Sequence, residues 1–309
     1  MVFKKMLRRF GVGGPTVDTV LTRADTQPGR ELTGEVNIVG GDHDVDIEHV
    51  AIALATGAET ESGDHDGHTA TEFARIVVSG AFTLHANEHR AMPFSLLVPW
   101  ESPITAIYGR PLHGMAVGLR TELAVARAVD PGDLDPVRIH PLGCQEAVLD
   151  AMDQLGFRIK HADVETGRIA GVVQTLPFYQ EIEYFPPAQY AGRITEIELT
   201  FIASAEMLTV VLETDVAGHG FASGDQFGRF EVSHAEAEDF DWTGAINGWL
   251  SDLARNVPEQ RHHGDYPHEH DEGGTSMGGV VAGAAAGIVG GLVLDEVVDE
   301  IGDAFFDED

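Results

Sequence analysis

Apolar and polar residues alternate at period two through most of the chain, and the alternation stops at prolines and glycines. Phe94, Leu96 and Val98 alternate with Ser95 and Leu97 before Pro99 and Pro103 interrupt the pattern. Such a run is a strand that buries one face and ends abruptly. The same grammar predicts strands over residues 16–21, 31–40, 45–54, 73–84, 90–99 and 115–125. In the last of these Met115, Val117, Leu119, Thr121, Leu123 and Val125 hold every second position. Val45 and Ile47 are out of phase with Val50, Ile52 and Leu54, which predicts a one-residue bulge around Glu48-His49. Gln27-Pro28-Gly29-Arg30 reads as a turn. Short runs separated by Gly, Pro and Asp turns, with no helices between them, predict a β-sandwich over residues 15–129.

Asp130-Pro131-Gly132-Asp133-Leu134-Asp135-Pro136 is too polar and too rich in Pro and Gly for a core, so 130–136 is read as a linker. A second sandwich is expected over 137–235. It opens with a strand at 137–140 and a helix from about Cys144 to Leu155, whose apolar stripe is Val148, Ala151, Met152 and Leu155. Gly156 closes that helix. Further strands are predicted at 157–161, 167–176, 179–185, 193–202, 207–214 and 227–233. Along 193–202, Ile197, Leu199 and Phe201 point one way while Glu196, Glu198 and Thr200 point the other. An amphipathic helix within 237–256 carries Trp242, Ile246, Trp249, Leu250 and Leu253 on one face. The fold class expected is therefore all-β: two sandwiches with a short N-terminal helix, one helix in the second domain and a helical C-terminal tail.

The two ends differ from this body. Phe3, Met6, Leu7 and Phe10 fall at helical spacing opposite Lys4, Lys5, Arg8 and Arg9, predicting a short basic helix within residues 1–14. It suits an anionic lipid surface or a partner, or the protein's own acidic body. Residues 257–276 are a polar linker holding His262, His263, His268 and His270. Within the tail, 277–309, the stretch Met277 to Leu294 is 18 residues without a polar side chain, and Gly279, Gly283, Gly287 and Gly291 recur at every fourth position. Glycines stacked on one helical face let a second helix approach closely, with Val281, Ile288 and Leu292 lying away from that groove. Eighteen residues are at the short end of the ~17–25 that span a bilayer. Membrane association and self-association into a homo-oligomer are both open from the pattern.

Charge changes the picture most. The chain has 51 acidic and 19 basic residues, net −32, and its lysines are Lys4, Lys5 and Lys160 alone. Self-repulsion of this size is relieved where salt shortens screening to ~3 Å, near molar concentration. A dispersed acidic, lysine-poor surface thus points to a halophile's cytoplasm. It also excludes nucleic acid as a partner, since phosphate contacts need clustered cations. One cysteine, Cys144, excludes an internal disulfide. Residues 1–14 lack the apolar core of a signal peptide, so the cytoplasm is expected, with the tail as a route to the membrane.

No catalytic motif is present. Neither Gly-x-Gly-x-x-Gly, a Walker loop nor a Gly-x-Ser-x-Gly elbow occurs, so neither an enzyme nor a bound cofactor is expected. Asp42-His43-Asp44, Asp64-His65-Asp66-Gly67-His68 and the His262–His270 cluster offer metal ligands. They lie in polar loops, whose reading as plain solvated segments is preferred, and only the linker cluster is kept as an alternative, metal-binding function. Cys144 opens a helix, where the dipole lowers a thiol pKa, but no His or Asp motif is tied to it, and packing is the preferred reading.

Several stretches taken together have a family signature. These are Val17-Asp18-Thr19-Val20-Leu21, Pro28-Gly29-Arg30-Glu31-Leu32-Thr33-Gly34, Phe94 to Pro99 with Pro103-Ile104-Thr105, and Gly118-Leu119-Arg120-Thr121-Glu122-Leu123-Ala124 followed by Asp130-Pro131. With the helix Gln145 to Leu155, Leu155-Gly156-Phe157, and Gly192-Arg193-Ile194-Thr195-Glu196-Ile197-Glu198-Leu199, the chain resembles the SpoOM sporulation-control family over residues 3–233. The resemblance implies arrestin-like (immunoglobulin-like) sandwiches and a regulatory, non-enzymatic role, tied in spore formers to early sporulation control and to cell-cycle or envelope events. Unidentified protein partners are expected to bind the sandwich edges or concave faces.

Overall fold

A computed structural model describes residues 8–9, 13–60, 67–126, 133–190, 193–216 and 226–256. Its strands in chain order are β1 (Arg8–Arg9), β2 (Thr16–Leu21), β3 (Asp25–Thr26), β4 (Glu31–Val39), β5 (Val45–Thr60), β6 (Gly67–Ser79), β7 (Phe82–Leu84), β8 (His89–Leu97), β9 (Ala106–Ile107), β10 (Arg110–Pro111), β11 (Val117–Val125), β12 (Asp133–Ile139), β13 (Arg158–Thr166), β14 (Phe178–Phe185), β15 (Ile194–Ala203), β16 (Met207–Val216) and β17 (Gln226–Ser233). The helices are α1 (Gly143–Gln154), α2 (His234–Asp239) and α3 (Trp242–Asn256).

The first unit is the sandwich that the alternation predicts. One layer is the sheet β1-β2-β4-β8, and the other is built on β5 with β6, β7, β11 and β12. Period two turns Val17, Leu32, Val36 and Ile38 of the first layer onto Ile52, Leu54, Leu119, Leu123 and Ile139 of the second, all buried. Each such side chain removed from water contributes ~1.5–3 kcal/mol. A polar bridge crosses this core, Thr19 Oγ1 to Thr121 Oγ1 at 2.7 Å. Opposite β11, Ala124 pairs with His49 and Val125 with Ile47, so Glu48 is the extra residue of a bulge, where the phase change placed it.

The second unit is a five-stranded antiparallel sheet, β13-β14-β15-β16-β17, joined edge to edge with the first through a parallel β13–β5 contact. Its inner face carries Ile182, Tyr184, Ile197, Leu199, Val210 and Leu212. The layer packed on that face is α1, α3 and the strap of chain around β9 and β10. Val148 and Met152 of α1 and Trp242, Ile246 and Leu250 of α3 are buried there, because the helical stripes read from the sequence need apolar cover. Gln180 pins the strap: its Nε2 donates to Ile104 O and its Oε1 accepts from Ile104 N, both at 2.8 Å. The helix α1 opens with Leu142 N donating to Gln145 Oε1 and closes at Gly156, φ +89°. Trp249 lies so close over Gly228 that a Cβ there would sit 2.8 Å from its ring.

Four expectations differ from what forms. Arg8–Arg9 pair with β2 as a short strand, not as part of a helix. Asp133–Pro136, read as linker, pair with β11, because the β11 edge offers ladder partners that outweigh the local Pro and Asp preferences. Gly80-Ala81 divides the expected strand 73–84 into β6 and β7. Residues 167–176 form no strand. The Gln174 amide takes over the loop's backbone groups, with Nε2 donating to the carbonyls of Gly167, Leu176 and Phe178 and Oε1 accepting from Ile169 N. Gly171, at φ +74°, makes the turn.

Candidate functional site

The feature that stands apart is the outer face of the second sheet. Along β14 the residues Phe178, Gln180, Ile182 and Tyr184 are buried in the core, so Tyr179, Glu181 and Glu183 must stand on the opposite side. Residues paired across a ladder share a face. Asp163 pairs with Glu181 and Glu165 with Tyr179 between β13 and β14. Glu183 pairs with Glu198 between β14 and β15, and Glu198 with Glu213 between β15 and β16. On β17, Phe227 pairs with Glu213 and Arg229 with Val211. Register alone therefore lines up a belt of carboxylates across four strands.

Glu181 is its centre. Carboxylate oxygens of Asp163, Glu165 and Glu181 all lie within 4.8 Å of one another, and so do those of Glu181, Glu198 and Glu213. Burial, followed by the charges of Glu198, Asp163, Glu165 and Glu213, pushes the Glu181 carboxyl up to about 9. At neutral pH this group holds a proton. Burial, followed by the charges of Glu181, Glu165, Glu213 and Glu198, raises the neighbouring Tyr179 phenol. Lys160 bridges Glu183 and Glu196 at one end of the face.

Beside the belt is a groove of about 540 Å³, with Tyr179, Glu181, Glu198, Glu213, Val211 and Phe227 on the strand side and Arg168, Ile169 and Ala170 on the loop side. Phe227 is 60% exposed. The two guanidiniums are turned to the loop: Arg168 donates to Gln174 O, and Arg229 Nη1 donates to Gly171 O at 2.6 Å. Carboxylate oxygens flanked by an exposed aromatic suit positive charge carried on an apolar body. They equally suit a hard, oxygen-seeking cation.

The other candidate residues resolve as follows. Cys144 is buried in the second core, and burial pushes its thiol up to about 11, against the dipole. Asp44 accepts from Ala86 N and pairs with His85, whose pKa it raises, while His43 is solvent exposed. His65, His262, His263, His268, His270 and the tail residues Gly279, Val281, Gly283, Gly287, Ile288, Gly291 and Leu292 lie outside the described residues. Among the described residues no helix is long and apolar enough to cross a membrane. The acidic belt was not read from the sequence, although its signal is there: Asp163-Val164-Glu165, Glu181-Ile182-Glu183 and Glu196-Ile197-Glu198 each place two acids on one face of a strand. What the sequence lacks is the register that brings the three into line.

Comparison with known proteins supplies the context. Residues 3–218 match the family described as SpoOM protein. The sporulation-control protein Spo0M of Bacillus subtilis (strain 168) is 30% identical over 246 residues, covering 77% of this chain and 92% of the relative. The crystal structure of Spo0M from Bacillus subtilis superposes with a TM-score of 0.69 at 27% identity, covering 78% of this chain and all of that one.

Proposed function

Because the chain belongs to the SpoOM family, we propose that it is a non-enzymatic regulatory protein that works by holding another protein, and that the outer face of the second sheet is where it does so. The observation that carries this is the carboxylate belt around Glu181 beside the groove that exposes Phe227. The partner segment that fits is cationic with an apolar or aromatic anchor: its charge meets the belt and its anchor covers Phe227. Such a surface gains from charge complementarity with the belt and from apolar burial at the groove.

The net charge of −32 supports a salt-rich cytoplasm as the setting. The glycine-faced tail is read as the device that brings the body to a membrane or to a second copy. The belt is tested with Asp163→Asn, Glu198→Gln and Glu213→Gln combined, introduced into the native cell in place of the wild type. The expected result is a correctly folded protein that no longer crosslinks to its partner and gives the same defect as deletion of the gene. Full complementation by the triple variant would remove the belt from the mechanism.

A further inference from the structure

A second cavity, of about 640 Å³, lies in the first unit between the β2–β4 hairpin and the end of β12. Its frame is well tied. Thr22 N donates to Thr33 O, Arg30 N to Gln27 O, Arg138 N to Ala24 O and His140 N to Thr26 O, and Gln27 Nε2 donates to Pro141 O. Two acids line it. Asp25 is engaged, receiving both Nε and Nη2 of Arg138 at 2.8 and 2.6 Å and pairing with His140 Nε2 at 2.8 Å. Those bonds hold its carboxyl well below the usual range. Glu31 is exposed at the start of β4.

Two cations, Arg23 and Arg30, line the same cavity. Neither guanidinium has a hydrogen bond or ion pair to any described residue. Arg75, Arg90, Arg120 and Arg138 of the first unit each reach a carboxylate. Arg23 and Arg30, both exposed, instead line a common space with the hydroxyl-bearing Thr22 and Thr33.

We infer that this cavity binds a phosphoryl group, with Arg23 and Arg30 as its two forks and Thr22 and Thr33 as hydroxyl donors. A guanidinium presents paired N–H groups that match two oxygens of an oxyanion. One fork is enough for a planar carboxylate, which has a single edge. Two forks and neutral donors match a tetrahedral phosphate, which offers separate oxygen pairs. The volume exceeds that of a bare phosphate, so the group belongs to a larger molecule, either a soluble phosphate ester or a lipid headgroup.

The test uses the full chain at the salt concentration that keeps it folded. Inorganic phosphate, glycerol phosphate and acetate are titrated by calorimetry, and phosphatidate and phosphatidylcholine vesicles are used in flotation. Wild type is compared with Arg23→Gln/Arg30→Gln and with Arg110→Gln, a control at an exposed arginine outside the cavity. Saturable 1:1 binding of both phosphates, weakened about tenfold or more by the double variant and unchanged in the control, is expected, because charge-assisted bonds to two guanidiniums are lost. Retention on phosphatidate vesicles that the double variant abolishes, without binding of soluble phosphate, would assign the same site to a lipid headgroup. Equal affinity for acetate, equal affinity in the double variant, or no saturable binding in any arm would overturn the assignment.

Discussion

Glutamate 181 makes the second unit sensitive to pH in a direction that most carboxylates do not. An ordinary ion-paired acid has a lowered folded-state pKa and stabilises the fold as pH rises. Glu181 has the opposite sign, with a model-peptide value of 4.5 and a folded value pushed up to about 9. Below pH 4.5 it is protonated in both states and costs nothing. Between 4.5 and 9 the unfolded chain releases the proton and the folded chain keeps it, so stability falls as pH rises through that window, and the loss levels off above 9. At 1.36 kcal/mol per unit of pKa, the ceiling on the loss is ~3 kcal/mol at pH 7 and ~6 kcal/mol at pH 9. Salt and the open side of the groove screen the charges, and about half of each figure is expected to survive. Glu181→Gln keeps the shape of the side chain and has no proton to lose. Chemical denaturation of wild type and variant at matched salt, from pH 5 to pH 9, should show curves that coincide near pH 5 and separate steadily, with the variant the more stable. The infrared band of a protonated carboxyl should fade near pH 9 in the wild type and be missing from the variant. Parallel stability profiles across the whole range would show that the belt does not trap a proton, and the electrostatic account of the site would fall with it.

Two further outcomes follow from the fold and the tail. Gln180→Leu removes both bonds to Ile104 and leaves its buried N–H and C=O without partners, so denaturation should show a loss of about 2–5 kcal/mol while sheet content by circular dichroism is kept. Truncation after Glu272 should leave the body folded and soluble at high salt, and should abolish either sedimentation with membranes or assembly of copies; a truncated chain that behaves like the full one in both assays would leave the glycine pattern without a role.

The strands of the first unit were legible because one face of each is buried against a second sheet, which forces strict alternation; even the bulge at Glu48 shows as a change of phase between Ile47 and Val50. The helices α1 and α3 were legible for the matching reason, a stripe at helical spacing, closed in α1 by Gly156. What they cover was not legible. Nothing local in Val148 or Ile246 says that the layer facing the second sheet is helical, since any apolar surface would satisfy either stripe. Residues 167–176 were misread because Val172, Val173 and Leu176 suggest a strand, while the deciding group is the amide of one glutamine, Gln174, bonded to the backbone on both sides of the loop. The acidic belt was hidden for a third reason. Its members come from four strands, and only the register fixed by the buried residues on the opposite face aligns them.

That register also separates the belt from the general acidity of the chain. If −32 were only a response to salt, acids should be spread alike over every outer face. On the first unit Arg75 and His49 bind Glu122, and Arg120 binds Glu72 at 2.7 Å, so these acids of β11 and β6 are each held by a basic side chain. On the second unit Lys160 neutralises one end, and the two arginines beside the groove are spent on loop carbonyls. A protein with few cations has placed them so that carboxylates gather around Glu181, at a cost that rises with pH. Solvation by salt does not require that concentration; on the function proposed above, a positive partner's charge relieves the repulsion and releases the trapped proton. Binding of a cationic partner at this face should therefore release a proton below pH 9 and tighten as pH rises toward that value.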